Sequence, residues 1–493
     1  MKIDKPLAVI RAEGTGGNVR TQRLVEFAAA RFDPDAGETF RSWRFNPDVP
    51  LAPEVESRLR VCAGSLATLP DFAAHAREIA GFLAPCDLCG YDLVRQDIPL
   101  LCGELHRAGV KDFAPVSRRI LDLQRIFHRH EPRDLSAAVR TYCKDGHDDA
   151  HSALADVRAT LDVLLAMFQR HPELPRDMEA LDRAYGGREL AGLARRAAFS
   201  GPSIDLGGLL GLSGPTAPET REPPAPGEVF PIHLTRPLLV FDIEGTGLDV
   251  RTERIIELAA TRVDPDGTRV SRRWLFHPTI PIPAESTAIH GFTDADVADQ
   301  PPFADCALEI SGFFDPCDLC GFNLSYYDIP LLREEFSRAG MDFSVDDRRI
   351  LDVQRIFHSY EPRDLPAAVR FFCPPGHPPS DGAEEGVRAI VAVLAGQCAR
   401  YAGLPRSFAG LAAEYDRRDP RNADLAGRLR WADGEIVVNF GKKRGERLRD
   451  LVEQDPGFLK WILKSDFPFD TRALVENALD GSFPPPPPEL GET

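Results

Sequence analysis

Apolar and polar positions along the second half of the chain predict alternating strands and helices. Apolar runs with a two-residue period or a short buried pattern predict strands, at 237–247, 254–264, 271–278, 318–324 and 348–357. Apolar spacing of three and four residues predicts helices, at 303–314, 328–340 and 386–403. Three early strands followed by alternating helices and strands indicate an α/β fold built on a mixed sheet.

The first half of the chain repeats this pattern. Residues 117–143 and 347–373 are identical at 20 of 27 aligned positions. The two copies can be followed from about Pro6 to Tyr185 and from about Pro237 to Tyr415. A repeat of this length predicts a duplicated domain rather than a solenoid of short units.

Composition shifts mark the remaining boundaries. A Pro-, Gly- and Ser-rich stretch separates the copies, a different sequence follows the second copy, and the end contains five consecutive prolines. We therefore predict a first domain at 1–186, a linker at 187–234 and a second domain at 235–415. A small C-terminal module at 416–480 and a proline-rich tail at 481–493 follow.

Charge and cysteine content narrow the class of protein. The formal net charge of −17 argues against a general nucleic-acid coat, but it permits an enzyme that grips one strand end. No apolar run approaches the length of a membrane helix, so we expect a cytoplasmic protein without a membrane partner. The pairs Cys86/Cys89 and Cys317/Cys320 permit a zinc site, although their apolar surroundings favour buried strands.

Two acids at the end of a predicted strand are the first candidates for chemistry. Asp242 and Glu244 lie two residues apart in "VFDIEGTG" and therefore project from the same face of the strand. Carboxylates this close suit a hard divalent cation, although a pair of solvated acids in a turn is the alternative. The first copy reads "VIRAEGTG", with Arg11 and Glu13 at the two positions.

Further acids occur later in each copy. Asp97 and Asp328 each precede a predicted helix, in "GYDLVRQDIPLL" and "GFNLSYYDIPLL". Only the first copy has His151 followed five residues later by Asp156. That spacing does not place both on one helical face, so His151 is expected in the loop before a helix and Asp156 on it.

Taken together, these phrases resemble the DEDDh family of 3′–5′ exonucleases, whose signature is D-x-E, a middle Asp and H-x4-D. The resemblance covers both copies and implies two tandem ribonuclease-H-like exonuclease domains with mixed sheets, an α/β class. It also implies a two-metal Mg²⁺ or Mn²⁺ site. The metal-ligand candidates in the two copies are Asp242, Glu244, Asp328, Glu13, Asp97 and Asp156.

The resemblance also implies roles and partners. Asp242 would bridge both ions, and Glu244 would support the ion beside the attacking water. His151 would accept the proton from that water. His290, in "STAIHGFTDADV", and Asn323 would contact nucleic acid. The implied partner is a single-stranded 3′ end, with DNA favoured over RNA, together with replication or repair proteins.

Neither copy contains the full signature. Arg11 replaces the bridging Asp, and a guanidinium among Glu13, Asp97 and Asp156 predicts an inactive first domain held together by ion pairs. In the second copy, Asp381 and Gly386 stand where His151 and Asp156 would align.

Three hypotheses follow from these losses. In the first, the second copy works as a 3′–5′ exonuclease with Glu384 or Glu385 as a substitute ligand. In the second, the protein is a catalytically inactive module that binds nucleic-acid ends or a partner protein. In the third, the helix with Asp156 packs against the sheet with Asp242 and completes one composite site.

The C-terminal module resembles a small domain found behind some bacterial exonucleases. Lys442, Lys443 and Arg444 begin a basic cluster that could hold phosphates, with Arg447 and Arg449 nearby. Neighbouring aromatic residues could stack bases, namely Tyr401, Tyr415, Trp431, Phe440 and Trp461. A small core with a solvated basic edge is the alternative.

Overall fold

The structure is a computed structural model, and the description covers most of the chain. The described residues are 1–16, 21–35, 37–59, 61, 63–110, 113–143, 152–186, 219–224, 229–378, 381–416, 418–465 and 467–486. His151 and most of the predicted linker lie outside them.

Thirteen strands are described. They are β1 Leu7–Gly14, β2 Leu24–Asp33, β3 Gly37–Arg44, β4 Asp87–Gly90, β5 Ile120–Asp122, β6 Glu219–Glu222, β7 Leu238–Gly245, β8 Ile255–Val263, β9 Arg269–Leu275, β10 Asp318–Gly321, β11 Ile350–Asp352, β12 Leu429–Ala432 and β13 Glu435–Val438.

The described α-helices are, in chain order, α1 Pro53–Leu59, α2 Ala63–Leu66, α3 Ala76–Leu83, α4 Asp97–Arg107, α5 Leu123–His130, α6 Leu135–Tyr142, α7 Ala153–Arg170, α8 Met178–Tyr185, α9 Ala284–His290, α10 Asp294–Val297, α11 Phe303–Phe314, α12 Asp328–Arg338, α13 Val353–Tyr360, α14 Leu365–Phe372, α15 Ala383–Arg400, α16 Phe408–Tyr415, α17 Leu448–Gln454, α18 Pro456–Lys464 and α19 Phe469–Leu479.

Two mixed sheets share one strand order. The first sheet runs β3-β2-β1-β4-β5 and the second runs β9-β8-β7-β10-β11, with β6 added beside β9. In each sheet the first three strands are antiparallel, and the last two run parallel to the central strand. The mixed α/β class predicted from the sequence is confirmed.

One predicted strand is shorter than expected. The apolar run 348–357 was predicted as a single strand, but β11 ends at Asp352 and α13 begins at the next residue. The Asp352 carboxylate accepts a hydrogen bond from the Gln354 backbone N–H at 3.1 Å. This side-chain cap satisfies a free N–H of the first helical turn and starts the helix early.

The chain divides into two compact units that cross the boundaries of the sequence repeats. Unit 1 contains residues 1–131 and 363–493, and unit 2 contains residues 132–362. Each unit therefore combines the sheet of one repeat with the final helices of the other.

In unit 2, α7 of the first repeat packs on β7 and β8 of the second repeat. Val157 and Leu164 of α7 are fully buried in one core cluster with Val240 and Val263. Complete burial of a side chain of this size contributes roughly 1.5–3 kcal/mol, so this face fixes the helix on that sheet. The mirrored arrangement holds in unit 1, where α15 packs on β1 and β2.

A strand glutamate fixes the start of each exchanged helix. The Glu257 carboxylate on β8 accepts a hydrogen bond from the Ala153 backbone N–H at 3.1 Å. In unit 1, Glu26 on β2 accepts from the Ala383 backbone N–H, also at 3.1 Å. An anion at the N-terminus of a helix satisfies unpaired N–H groups and interacts favourably with the helix dipole. The helices are therefore held in position along their axes as well as by their apolar faces.

The C-terminal segment forms a small core of its own within unit 1. Leu429, Val438, Leu459 and Val475 are buried together there. Helix α19 also lies against α4, where a side chain at Gly103 would approach the Phe469 ring to 2.8 Å.

No helix in the described part of the chain has both the length and the apolar character needed to cross a bilayer.

The exchanged helices predict a specific cross-link. A Cβ atom at Gly386 would lie 3.5 Å from the Arg11 Cβ, and disulfides require about 3.5–4.5 Å. We expect the full chain with Arg11→Cys and Gly386→Cys to form this disulfide on oxidation, as mapped by peptide mass spectrometry. The matched chain with Arg11→Cys and Asp156→Cys should not form the corresponding bond. The opposite result would show that each helix packs on the sheet of its own repeat.

Candidate active site

Asp242 and Glu244 lie at the end of β7, on one face of the strand. Both side chains are half-buried. A register shift follows between Glu244 and Gly245, which interrupts the regular pairing of β7 with β8 at the strand end. Gly245 lacks a side chain because a Cβ there would meet the Tyr327 hydroxyl oxygen at 2.4 Å. This close approach holds the acidic strand end beside the first turn of α12.

Asp328 joins these two acids from the first residue of α12. The side chain is 5% exposed, and Oδ1 accepts a hydrogen bond from the Ile243 backbone N–H at 3.1 Å. This hydrogen bond ties the start of α12 to β7 at Ile243, which lies between Asp242 and Glu244. In unit 1, Asp97 makes the equivalent bond with the Ala12 backbone N–H at 2.8 Å.

Asp156 of the first repeat completes the group. One carboxylate oxygen from each of Asp156, Asp242 and Glu244 lies within 4.8 Å of the others. This is the helix exchange considered from the sequence. His151, the predicted proton acceptor, lies outside the described residues.

The electrostatics of this group favour a bound cation. Burial raises the pKa of Asp242 well above its ordinary value, and the charges of Asp328, Asp156 and Glu244 raise it further. Burial, with Asp156 and Glu257, raises the pKa of Glu244 to about 8. Burial also raises the pKa of Asp328, against the effect of its backbone hydrogen bonds.

The donor set fits a hard divalent ion. Among the described residues, no Lys, Arg or His forms an ion pair with Asp242, Glu244 or Asp328. Carboxylate oxygens grouped in this way are typical ligands of Mg²⁺ and Mn²⁺.

The equivalent position in unit 1 holds a guanidinium. Arg11 contacts the Glu13 carboxylate at 3.0 Å and the Asp97 carboxylate at 3.7 Å. Burial opposes the charge of Arg11, but the two carboxylates outweigh burial and raise its pKa. Arg58 adds a second ion pair to Glu13 at 2.6 Å. The ion-pair cluster predicted for the first copy is present, with Glu13 and Asp97 as its acids.

Several sequence-based assignments need correction. Glu13 and Asp97 were candidate metal ligands, but Arg11 already compensates their charges. Asp156 was expected as the third acid around Arg11, but it lies beside Asp242 because α7 packs in unit 2. The position facing Arg11 is instead Gly386.

The proposed substitute ligands also lie elsewhere. Glu384 and Glu385 belong to α15, which packs on the sheet of unit 1. The Glu384 carboxylate pairs with Arg388 at 2.6 Å. Neither residue contributes to the acidic group of unit 2 in the described structure.

His290 and Asn323, the predicted nucleic-acid contacts, lie in unit 2. His290 ends α9, is 6% exposed, and accepts at Nδ1 a hydrogen bond from the Phe292 backbone N–H. Asn323 adopts a left-handed backbone conformation with a φ of 64°, and its N–H donates to Asp352. Both residues have ordered local roles, and their contact with nucleic acid stays a prediction.

The sequence interpretation missed Glu257. This residue is fully buried on β8, pairs with Arg273, and fixes the start of α7 close to Asp156. A signal was available, because an acid occurs at the same place in the apolar strand of both repeats, in "VEFAAARFD" and "IELAATRVD". An acid within an apolar strand is rarely buried without a partner.

The basic cluster of the C-terminal module is only partly free. Lys443 pairs with Glu446 at 3.1 Å and with Asp455 at 3.4 Å, and Arg449 pairs with Glu435. Lys442 and Arg444 are exposed and have no ion pair with a described residue. Trp461, in α18 of the same module, is 50% exposed.

The aromatic residues expected around this cluster divide into two groups. Trp431 and Phe440 pack against the core of the module. Tyr401 and Tyr415 instead contact His130 in the core shared by α15, α16 and the first sheet. They are therefore not part of a surface around the basic cluster.

Comparison with known proteins gives partial matches. A DNA polymerase III subunit epsilon-like protein of Rhodobacter capsulatus is 36% identical over 118 residues, which are 23% of this chain and 16% of that protein. DNA polymerase III subunit epsilon of Treponema pallidum is 30% identical over 109 residues, which are 22% of this chain and 50% of that protein. The chain thus spans half or less of the length of these relatives.

Among solved structures, the metal-free E. coli ExoI–ssDNA complex matches at 16% identity with a TM-score of 0.25, covering 47% of this chain and 59% of that chain.

The family comparison is more extensive. The RNase_T exonuclease family model matches residues 9–164 and 239–365, which are more than half of the chain. The first match includes Asp156, and the second includes Asp242, Glu244 and Asp328. The chain therefore belongs to the exonuclease family, with the DEDD, ribonuclease-H-like type of domain that its acidic phrases predicted.

Proposed function

We propose that this protein is a divalent-metal-dependent 3′–5′ exonuclease with one competent site, in unit 2. The observation that carries the proposal is the meeting of Asp156 from the first repeat with Asp242 and Glu244 from the second. With Asp328 and His151, these residues make up the complete DEDDh set. No other described group of acidic, histidine or cysteine side chains has this geometry.

The four carboxylates of this set would hold Mg²⁺ or Mn²⁺. Such ions supply an activated water and stabilise the charge that develops on the leaving 3′ oxygen. Asp242 occupies the central position, since Asp328, Asp156 and Glu244 all raise its pKa. The backbone N–H of Ile243 holds the Asp328 carboxylate in place. Glu257 fixes α7 and thereby positions Asp156.

His151 is proposed as the general base. It precedes α7, the helix that contributes Asp156, by two residues in the sequence. The ordinary pKa of an imidazole, near 6.5, suits the acceptance of a proton from water close to neutral pH.

Unit 1 is proposed as a non-catalytic partner of unit 2. Arg11 compensates Glu13 and Asp97 without a metal ion, and Gly386 contributes no carboxylate. The common strand order of the two sheets supports a tandem duplication in which one copy lost its ligands. The hypothesis of a catalytically inactive binding module therefore applies, in this proposal, to unit 1 only.

The proposed substrate is the 3′ end of single-stranded DNA. The names of the epsilon-type relatives, which belong to DNA polymerase III, support a role in replication or the associated repair. Such a role agrees with the cytoplasmic location predicted from the sequence. His290 and Asn323, both in unit 2, are proposed to contact the DNA strand, and the exposed cations of the C-terminal module are proposed to bind phosphates of single-stranded DNA.

Substitution of one ligand from each repeat tests the composite site. Asp156→Asn and Asp242→Asn should each reduce release of a 3′-terminal label from single-stranded DNA, with Mg²⁺ or Mn²⁺, by at least about 10²-fold. Both changes remove one negative charge from the same ion site. The matched control, Glu384→Gln on the corresponding helix of unit 1, should retain activity. Full activity of Asp156→Asn together with loss in Glu384→Gln would contradict the composite site.

The basic cluster yields a separate prediction about salt dependence. Lys442→Ala with Arg444→Ala should weaken binding of a single-stranded DNA and reduce the slope of log affinity against log salt by about 1.4, for two lost phosphate contacts. Fluorescence anisotropy at several salt concentrations measures this slope. Lys443→Ala is the control, because Glu446 and Asp455 already compensate its ammonium group. Equal slopes in all three proteins would leave the cluster as a solvated edge.

A further inference from the structure

The exchange of final helices raises a question of partner choice. The helices α7 and α15 are related by the repeat, and each could in principle pack on either sheet. Both are capped by equivalent acids, Glu257 and Glu26, so the cap does not distinguish them. Some other difference between the repeats must decide which helix packs on which sheet.

The contact between Arg11 and Gly386 supplies the first difference. A Cβ atom at Gly386 would lie 2.8 Å from the Arg11 Cγ, which is closer than real side-chain atoms approach. Arg11 cannot move freely, because Glu13 and Asp97 hold its guanidinium. At this place α7 has Asp156 instead of glycine, so α7 does not fit on the sheet of unit 1 without displacing Arg11.

The ends of the two helices supply a second, independent difference. In unit 1, His130 stacks on Tyr401 with ring centroids 4.2 Å apart. In unit 2, Tyr360 stacks on His171 with centroids 3.8 Å apart. His130 and Tyr360 are equivalent in the repeat, as are His171 and Tyr401. The exchange therefore pairs one imidazole with one phenol in each unit, whereas unexchanged packing would pair His130 with His171 and Tyr360 with Tyr401.

A charge interaction between β9 and α7 favours the same exchanged packing as these two differences. The positive charge of Arg269 on β9 acts on the Asp162 carboxyl of α7, opposing the effect of burial on its pKa. The residue equivalent to Arg269 in the first sheet is Glu38, so α7 would there face a like charge. Its counterpart in α15 is Ala392, which has no charge to be repelled by Glu38.

We propose that these positions form a pairing code, defined as Arg11/Gly386, His130/Tyr401, Tyr360/His171 and Arg269/Asp162, which assigns each final helix to the sheet of the other repeat. Arg11 and Gly386 act as positioning residues. They commit α15 to unit 1 and leave the surface of β7 and β8 for α7 and Asp156. The code rests on contacts and charges between the final helices and the sheets, so a chain without nuclease activity would still have it.

The consequence is that the sequence losses in the two copies are matched rather than independent. Unexchanged packing would bring Gly386 to the acids of unit 2 and Asp156 to Arg11, and neither unit would then have four carboxylates around one ion. Exchanged packing gathers one full set of ligands in unit 2 and places every lost ligand position in unit 1. The code thus turns two incomplete repeats into one complete set.

A double-mutant cycle tests the central contact of the code. Gly386 lies inside α15, where alanine ordinarily stabilises a helix relative to glycine. We expect Gly386→Ala to lower the urea midpoint of the full chain when Arg11 is present and to raise it in the Arg11→Ala background. The reversal of sign is the signature of the contact. The same shift in both backgrounds would overturn the proposal.

A reversed chain tests the whole code. It carries Asp156→Gly, Asp162→Ala, His171→Tyr, Gly386→Asp, Ala392→Asp and Tyr401→His, so that each final helix matches the sheet of its own repeat. The reporter is a short bismaleimide cross-link from Ser42→Cys, whose native hydroxyl lies 3.4 Å from the Glu384 carboxylate. The second cysteine is either Glu384→Cys, for exchanged packing, or Leu154→Cys, for unexchanged packing.

In the chain with its native code, we expect the cross-link between 42 and 384 and none between 42 and 154, as mapped by peptide mass spectrometry. In the reversed chain the pattern should switch to 42 and 154. Retention of the link between 42 and 384 would show that other contacts choose the partner, and the proposal would be wrong. Because the reporter needs no catalysis, this outcome is separate from failure of the nuclease assignment. If the reversed chain does not fold, the double-mutant cycle decides the proposal.

Discussion

The packing of α7 across β7 and β8 is the interaction on which the candidate active site depends. Asp242 and Glu244 come from strand β7, and Asp328 comes from the first residue of helix α12 in the same repeat. Asp156 comes from the other repeat, and only this packing brings it within 4.8 Å of Asp242 and Glu244. Burial of the apolar face of α7 therefore supplies the free energy that holds a carboxylate against three others.

The charge of that carboxylate group explains the difference between the two units. Buried acids this close together raise one another's pKa, and a positive charge relieves the repulsion. Unit 1 supplies the charge covalently, with the Arg11 guanidinium between Glu13 and Asp97. In unit 2 no described cationic side chain takes that place, and the group is suited to divalent ions. One fold thus meets the same electrostatic requirement in two ways, with a guanidinium in unit 1 and, as we propose, with divalent ions in unit 2.

Local patterns in the sequence predict much of this architecture but not the helix partners. The mixed sheets, the strand that ends in Asp242 and Glu244, and the helix that begins at Asp328 follow from periodicity and turn residues within short windows. The early end of β11 was missed because the Asp352 cap outweighs an apolar run that fits a strand equally well. The partner of α7 depends instead on contacts between residues far apart in the chain, such as Arg11 with Gly386. The sequence could offer exchange only as one hypothesis among three.

An anomalous difference map from crystals grown with Mn²⁺ tests the central claim most directly, because it locates the ion and its ligands together. The account predicts Mn²⁺ bound by Asp156 of the first repeat together with Asp242 and Glu244 of the second, and no Mn²⁺ beside Arg11. Mn²⁺ at Asp242 and Glu244 with a ligand from α15, or Mn²⁺ at Glu13 and Asp97, would contradict it.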